Sequence, residues 1–173
     1  MKIIKTKFKD LFIIKGKSFY DARGSFRELY KKKLIKKKLI FFVVSKSKKN
    51  VLRGLHYQTK NQQGKYLIVL KGKILDIAVD LRKNSKTYLK HFRCILSEKN
   101  NKSIFIPAGF AHGFYSYDKE NIVIYGCTNY RNKLSEKSLR WNEPTLKIKW
   151  PSKKPILSKK DKKNLTFKQF QKK

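Results

Sequence analysis

Lys65 to Leu81, KYLIVLKGKILDIAVDL, constrains the fold more than any other stretch of the chain. It reads as two strands joined at the turn Lys71-Gly72-Lys73, where glycine supplies the backbone freedom. In the second strand Leu75, Ile77, Val79 and Leu81 share one face, and Ile74, Asp76, Ala78 and Asp80 share the other. Further strands are predicted at 11–15, 40–45, 51–57, 91–96, 102–106, 111–117 and 121–128. Turn-forming residues separate them at Asp21 to Gly24, Lys48 to Asn50, Arg82 to Ser85, Lys99 to Asn101 and Asp118 to Asn121. Helix-like patterns are confined to 25–37 and the tail from Lys159. Short strands at spacings near ten residues predict an all-β sandwich or barrel with short peripheral helices. The 173 residues suit one domain with a real core, expected over about 18–161. The polar segment 152–173, after Trp150-Pro151, is expected to pack as a strap or short helix.

The formal net charge of +34 raises nucleic-acid binding as a possible function. Its distribution argues against it. Residues 51–130 carry only +8, and +26 lies outside them, much of it in lysine blocks such as KKKLIKKK at 31–38. Seven of the 45 basic residues are arginine, whereas a groove-reading protein favours arginine for bidentate base contacts. A solvated lysine surface that draws in a small anionic substrate is the expectation, with no nucleic-acid partner. The apolar run Leu11 to Ile14 is too short for a signal-peptide core, and no segment is long enough to span a bilayer. Cys94 and Cys127 show no paired pattern, which fits a reducing cytoplasm and no membrane partner.

The chain has three histidines, and one of them lies in the strand VLRGLHYQ at 51–58. A metal site at His56 would want a neighbouring histidine in an HxH pair and a nearby carboxylate, but Tyr57 and Gln58 follow it. PAGFAH at 107–112 matches the second half of a metal-cupin pattern without the first, so no metal is expected. Beside Leu52 and Leu55 on one strand, His56 also reads as an ordinary core histidine. Its company favours a site: Arg53, Lys65, His112 and the inward-facing Asp76 belong to strands of the same barrel. Charged groups gathered in an interior are costly unless they pair or meet an anionic ligand. Arg53 and His56 are an odd number of residues apart, so both can face one site only if Gly54 marks a bulge.

VLRGLHYQ, GKYLIVLKGKILDIAVDLRKNS, IPAGFAHGF and YGCTNY, in order between DARGSF and WPSKKPILSKKD, resemble the dTDP-4-dehydrorhamnose 3,5-epimerase family. The resemblance implies a cupin-type double-stranded β-helix, or jelly-roll barrel, that is usually a homodimer and uses neither metal nor cofactor. It also implies inversion of carbons 3 and 5 of a 4-keto sugar linked to a nucleoside diphosphate. By that resemblance His56 is the general base, Asp161 its orienting carboxylate, Lys65 the cation beside the developing enolate and Tyr125 the proton donor. Arg23, Glu28, Ser45, Arg53, His112, Arg131 and Glu136 match positions around the nucleotide sugar.

The departures fall together. Where the family carries Gln-x-Asn-x-Ser, this chain has Phe41 to Ser45, FFVVS. Where it carries a thymine-stacking tyrosine, this chain has Arg131. A 3-epimerase or an epimerase of another nucleotide sugar stays open on these residues, as does a non-catalytic saccharide-binding cupin.

Overall fold

The structure, a computed structural model, describes residues 1–171. Thirteen strands follow one another along the chain: β1 (Lys2–Lys5), β2 (Phe12–Lys15), β3 (Ser18–Asp21), β4 (Gly24–Arg27), β5 (Phe41–Lys48), β6 (Leu52–Gln58) and β7 (Lys65–Lys71), then β8 (Lys73–Asp80), β9 (His91–Ser97), β10 (Lys102–Ile106), β11 (Phe110–Ser116), β12 (Glu120–Cys127) and β13 (Glu136–Ser138). Two short helices close it, α1 (Lys159–Lys162) and α2 (Phe167–Gln171). Antiparallel pairing gives a six-stranded sheet in the order β1-β2-β10-β7-β12-β5 and a five-stranded sheet in the order β13-β6-β11-β8-β9. Chain neighbours such as β7 and β8 lie in opposite sheets, as a jelly roll requires.

The sandwich interior holds Leu67 and Val69 of β7, Ile104 and Ile106 of β10 and Val123 of β12 against Ile74 and Ala78 of β8 and Phe110 and Phe114 of β11. The alternate residues of β8, Leu75, Ile77 and Val79, are also buried, because the chain's C-terminal part covers that sheet with Leu139, Leu146 and Phe167. Both faces of β8 are therefore buried, and its period of two separates two cores. The outer face of the other sheet presents Tyr66, Ile68 and Phe105, which Ile35 covers.

Two sequence expectations are corrected. The packed body begins before residue 18, since β1 and β2 extend the larger sheet and Phe8, Leu11 and Ile13 enter the interior. Residues 25–37 are not helical; they hold β4 and a single 3-10 turn at Lys32–Leu34. Their helix-like spacing arises because Leu29, Tyr30, Leu34 and Ile35 lie along the outer face of the larger sheet. The C-terminal segment is less polar in effect than in composition: Ile156 bridges to Val51, and Phe167 is 9% exposed. Lys172 and Lys173, the end of the expected strap, lie outside the described residues.

Candidate active site

Strand β6 carries the central residues, and its register shows how. His56 pairs with His112, but Arg53 pairs with Phe114, so β6 uses one residue more than β11 over the same span. This is a β-bulge, and it flips the parity of the strand. Leu52 and Leu55, three apart, both enter the outer core, while Arg53 and His56, also three apart, both line one cavity. Gly54 sits at φ 128° and its peptide bond to Leu55 is cis. A Cβ on Gly54 would lie 2.6 Å from the Gly113 Cα, and one on Gly113 would lie 2.6 Å from the Arg53 carbonyl oxygen. The two glycines thus let the strands approach at the bulge.

The cavity measures about 600 Å³. The larger sheet supplies one wall, where register sets Lys65, Cys127 and Phe41 in one cross-strand row and Tyr125 and Val43 in the next. Arg53 and His56 form the facing wall, and Ile156, Leu157, Ser158, Lys160 and Asp161 close the side.

His56 Nε2 lies 2.7 Å from Asp161 Oδ1. Burial alone would raise the Asp161 carboxyl, but the hydrogen bond and charge of His56, with bonds from Ser158 and Asn164, hold it below the usual carboxylate range. A carboxylate only accepts, so Nε2 carries the hydrogen, and in the neutral ring Nδ1 has the free lone pair. Local sequence places Asp161: Ser158 caps α1 by accepting from the Asp161 backbone N–H, and its hydroxyl donates to Oδ2 at 2.9 Å. The sequence SKKD is the capping pattern that begins such a turn.

The Lys65 ammonium makes no hydrogen bond or ion pair among the described residues; burial lowers its pKa, with Cys127, Glu136 and Asp76 opposing in part. Burial raises the Tyr125 phenol. At the rim Arg131 grips Glu136 through Nε at 2.5 Å and a terminal nitrogen at 2.8 Å. Lys160 reaches the same carboxylate at 2.6 Å. Together, Arg131 first, they depress the Glu136 pKa to about 2. Arg53 is oriented by Ser47 Oγ at 2.9 Å and the Lys46 carbonyl at 3.0 Å. Beside His56, His112 is buried against Asp76, Nε2 to Oδ2 2.7 Å, and the second Asp76 oxygen has no partner among the described residues. No group of three His, Cys, Asp or Glu side chains is arranged to hold a metal among the described residues.

The family model for dTDP-4-dehydrorhamnose 3,5-epimerase matches residues 5–169. The chain belongs to that epimerase family. It is 43% identical to the dTDP-4-dehydrorhamnose 3,5-epimerase of Salmonella typhimurium over 93% of this chain and 92% of that one. It is 42% identical to the enzyme of that name from Neisseria gonorrhoeae over 99% of this chain, spanning 54% of that longer protein. Among solved structures, the dTDP-6-deoxy-D-glucose-3,5-epimerase of Legionella pneumophila in complex with dTDP-4-keto-L-rhamnose is 40% identical, with a TM-score of 0.88 over 93% of this chain and 89% of that one.

Of the residues singled out by resemblance to the epimerase family, His56, Asp161, Lys65, Tyr125, Arg53, Arg131 and Glu136 line the one cavity. His112 sits behind it, and Ser45 is buried with its hydroxyl unpartnered among the described residues. Arg23 and Glu28 do not reach it within one chain. Arg23 is in the β3–β4 turn, a two-stranded sheet of its own, and pairs with Asp21 at 2.7 Å; Glu28 pairs with Lys31 at 2.7 Å. Lys160 and Cys127 were missed. Lys160 precedes Asp161 in the SKKD turn and Cys127 lies two residues after Tyr125 in YGCTNY, so in each case a neighbour's role was the available signal.

Proposed function

We propose that the chain is an isomerase that inverts carbons 3 and 5 of dTDP-4-dehydro-6-deoxyglucose, giving dTDP-4-dehydrorhamnose. The observation that carries this reading is the His56–Asp161 pair facing Lys65 and Tyr125 across one cavity. Protons beside a C-4 ketone are acidic because the carbanion delocalises as an enolate. His56 Nδ1 takes the proton and the imidazolium that forms is stabilised by Asp161. The negative charge moves to the ketone oxygen, where the Lys65 ammonium, desolvated and without a protein partner among the described residues, stabilises it. Tyr125 returns a proton to the carbon from the opposite face. Its burial keeps the phenol protonated until it is used. The histidine then loses its proton to solvent, the tyrosinate regains one, and the cycle repeats at the second carbon. Arg53, Arg131 and Lys160 are the cations for the diphosphate, arginine forking onto its oxygens.

The reading includes a homodimer. Phe19, Tyr20 and Phe26 on the β3–β4 hairpin are 53%, 75% and 67% exposed, and Phe42 and Val44 on the outward face of the edge strand β5 are 55% and 64% exposed. A second copy would cover these residues, and Arg23 and Glu28 on or beside the hairpin would serve the substrate in that assembly. No helix among the described residues is long and apolar enough to cross a membrane. Nuclear magnetic resonance of the product from dTDP-4-dehydro-6-deoxyglucose tests the function. Inversion at both carbons is expected; inversion at carbon 3 alone would turn the reading to a 3-epimerase.

A further inference from the structure

The His56–Asp161 contact at 2.7 Å joins two separately built elements, which must be held in register for it to form. His56 sits on β6 just past the bulge, whereas Asp161 belongs to the α1 turn. Ser158 fixes the carboxylate only within that turn, donating to Oδ2 at 2.9 Å and accepting from the Asp161 backbone N–H at 3.0 Å. Apart from the His56 contact, one hydrogen bond from residues 158–164 reaches β6 among the described residues. It comes from Asn164, whose Nδ2 donates to the Gly54 carbonyl oxygen at 3.1 Å. The same nitrogen faces Asp161 Oδ1 at 3.3 Å and the Leu139 carbonyl oxygen at 3.4 Å. All three neighbours are acceptors, so the amide presents its N–H groups to them.

The backbone around Asn164 is anchored to the same strand. Leu165 bridges Leu139; its N–H donates to the Ser138 carbonyl at 3.0 Å, and its carbonyl accepts from the Arg140 N–H at 2.8 Å. Leu139 in turn exchanges both backbone bonds with Leu55, at 2.9 and 3.2 Å. Gly54 lies inside the bulge, between the paired residues Arg53 and His56, where the ladder is disrupted and a side-chain donor can meet its carbonyl. The terminal torsion of an aspartate is broad, so a carboxylate held at one oxygen can still turn. Ser158 on Oδ2 and Asn164 on Oδ1 together remove that freedom.

Resting on the epimerase reading above, we propose that Asn164 is a positioning residue that braces Asp161 against the β6 bulge and so sets the direction in which the carboxylate meets His56. Asn164 does not line the cavity, and it acts through Asp161.

Deuterium uptake at carbon 3 of dTDP-4-dehydro-6-deoxyglucose in deuterated water tests this, with calorimetric binding of inorganic pyrophosphate as the control for an intact cavity. The proteins are the parent, Asn164→Ala, Asn164→Leu, Asp161→Ala and Asp161→Ala combined with each Asn164 change. Asn164→Ala is expected to slow uptake by about 5- to 100-fold, the upper figure being the cost of a misplacement of about 1 Å, with pyrophosphate affinity kept within about twofold. Asn164→Leu keeps the bulk but loses the donor, so it should be as slow; it carries the comparison if Asn164→Ala does not fold. In the Asp161→Ala background, removing Asn164 should cost less than about a further twofold, because the group it acts through is gone. A smaller loss in either single variant, or losses that multiply in the double variants, overturns the brace while the epimerase reading stands. So does a fall in pyrophosphate affinity that matches the fall in rate, or failure of both single variants to fold, because Asn164 would then support the whole cavity. A parent that takes up no deuterium overturns the epimerase reading and the brace with it.

Discussion

Replacing Gly54 by alanine perturbs the bulge that places Arg53 and His56 on one face. The new Cβ would stand 2.6 Å from the Gly113 Cα and 2.8 Å from the His112 carbonyl oxygen, where ordinary contacts begin at 3.4 Å. All the opposing atoms are backbone, so β6 and β11 must part by about 0.8 Å at that point. Overpacking of this kind costs about 1–3 kcal/mol. Holding a non-glycine residue at φ 128° adds about 1–3 kcal/mol. The sum, about 2–6 kcal/mol, lowers the melting temperature by roughly 5–20 °C in a domain of this size. Any variant that folds also carries His56 displaced by up to about 1 Å, a misplacement that costs about 10²-fold in rate. Gly113→Ala separates the contributions, because its Cβ meets the Arg53 carbonyl oxygen at 2.6 Å without a positive φ, leaving only the steric cost. Thermal melts and initial rates on the three proteins give the comparison. A Gly54→Ala protein that melts within about 2 °C of the parent and turns over at the parent rate would refute the argument that this close approach builds the site.

Stability is expected to fall in acid through Glu136 and Asp161. Both carboxyls are depressed in the folded state, Glu136 to about 2, so their contribution is full above the ordinary carboxylate range and is lost as pH falls from about 4.5 toward 2. For partly exposed Glu136 this amounts to about 1–2 kcal/mol after solvent screening, and Glu136→Gln should flatten denaturation midpoints over that window. On the alkaline side Lys65 loses its charge below the usual lysine pKa, so kcat/KM should decline at lower pH than an exposed lysine would give. Lys65→Arg, if it retains measurable turnover, should move that limb upward. Chelators should leave turnover unchanged, and sedimentation at micromolar concentration should give a dimer.

The barrel was legible because its strands alternate cleanly. Gly72 turns the chain from β7 into β8 of the opposite sheet at φ 81°, and Asp76 points inward as its parity requires. The bulge was legible only as a contradiction: Arg53 and His56 had the wrong separation to share a face, and an extra residue resolves it. The segment 25–37 misled because a chain lying across a sheet places apolar side chains at irregular intervals that mimic a helix. Lys160 was signalled only by its place beside Asp161. Its ion pair joins residues 24 apart in sequence, and such encounters are set by how the tail folds back, which no local pattern records. Arg23 and Glu28 are plain in the motif but stay outside the cavity of one chain, each in an ion pair of its own.

The central claim is that His56 removes the proton at both carbons. Incubating dTDP-4-dehydro-6-deoxyglucose in deuterated water with the parent, His56→Ala and Tyr125→Phe proteins tests it most directly. The parent should introduce deuterium at carbons 3 and 5, Tyr125→Phe should lose inversion more than exchange, and His56→Ala should lose exchange at both carbons by about 10²–10⁴-fold. Near-parent exchange at either carbon in His56→Ala would contradict the account.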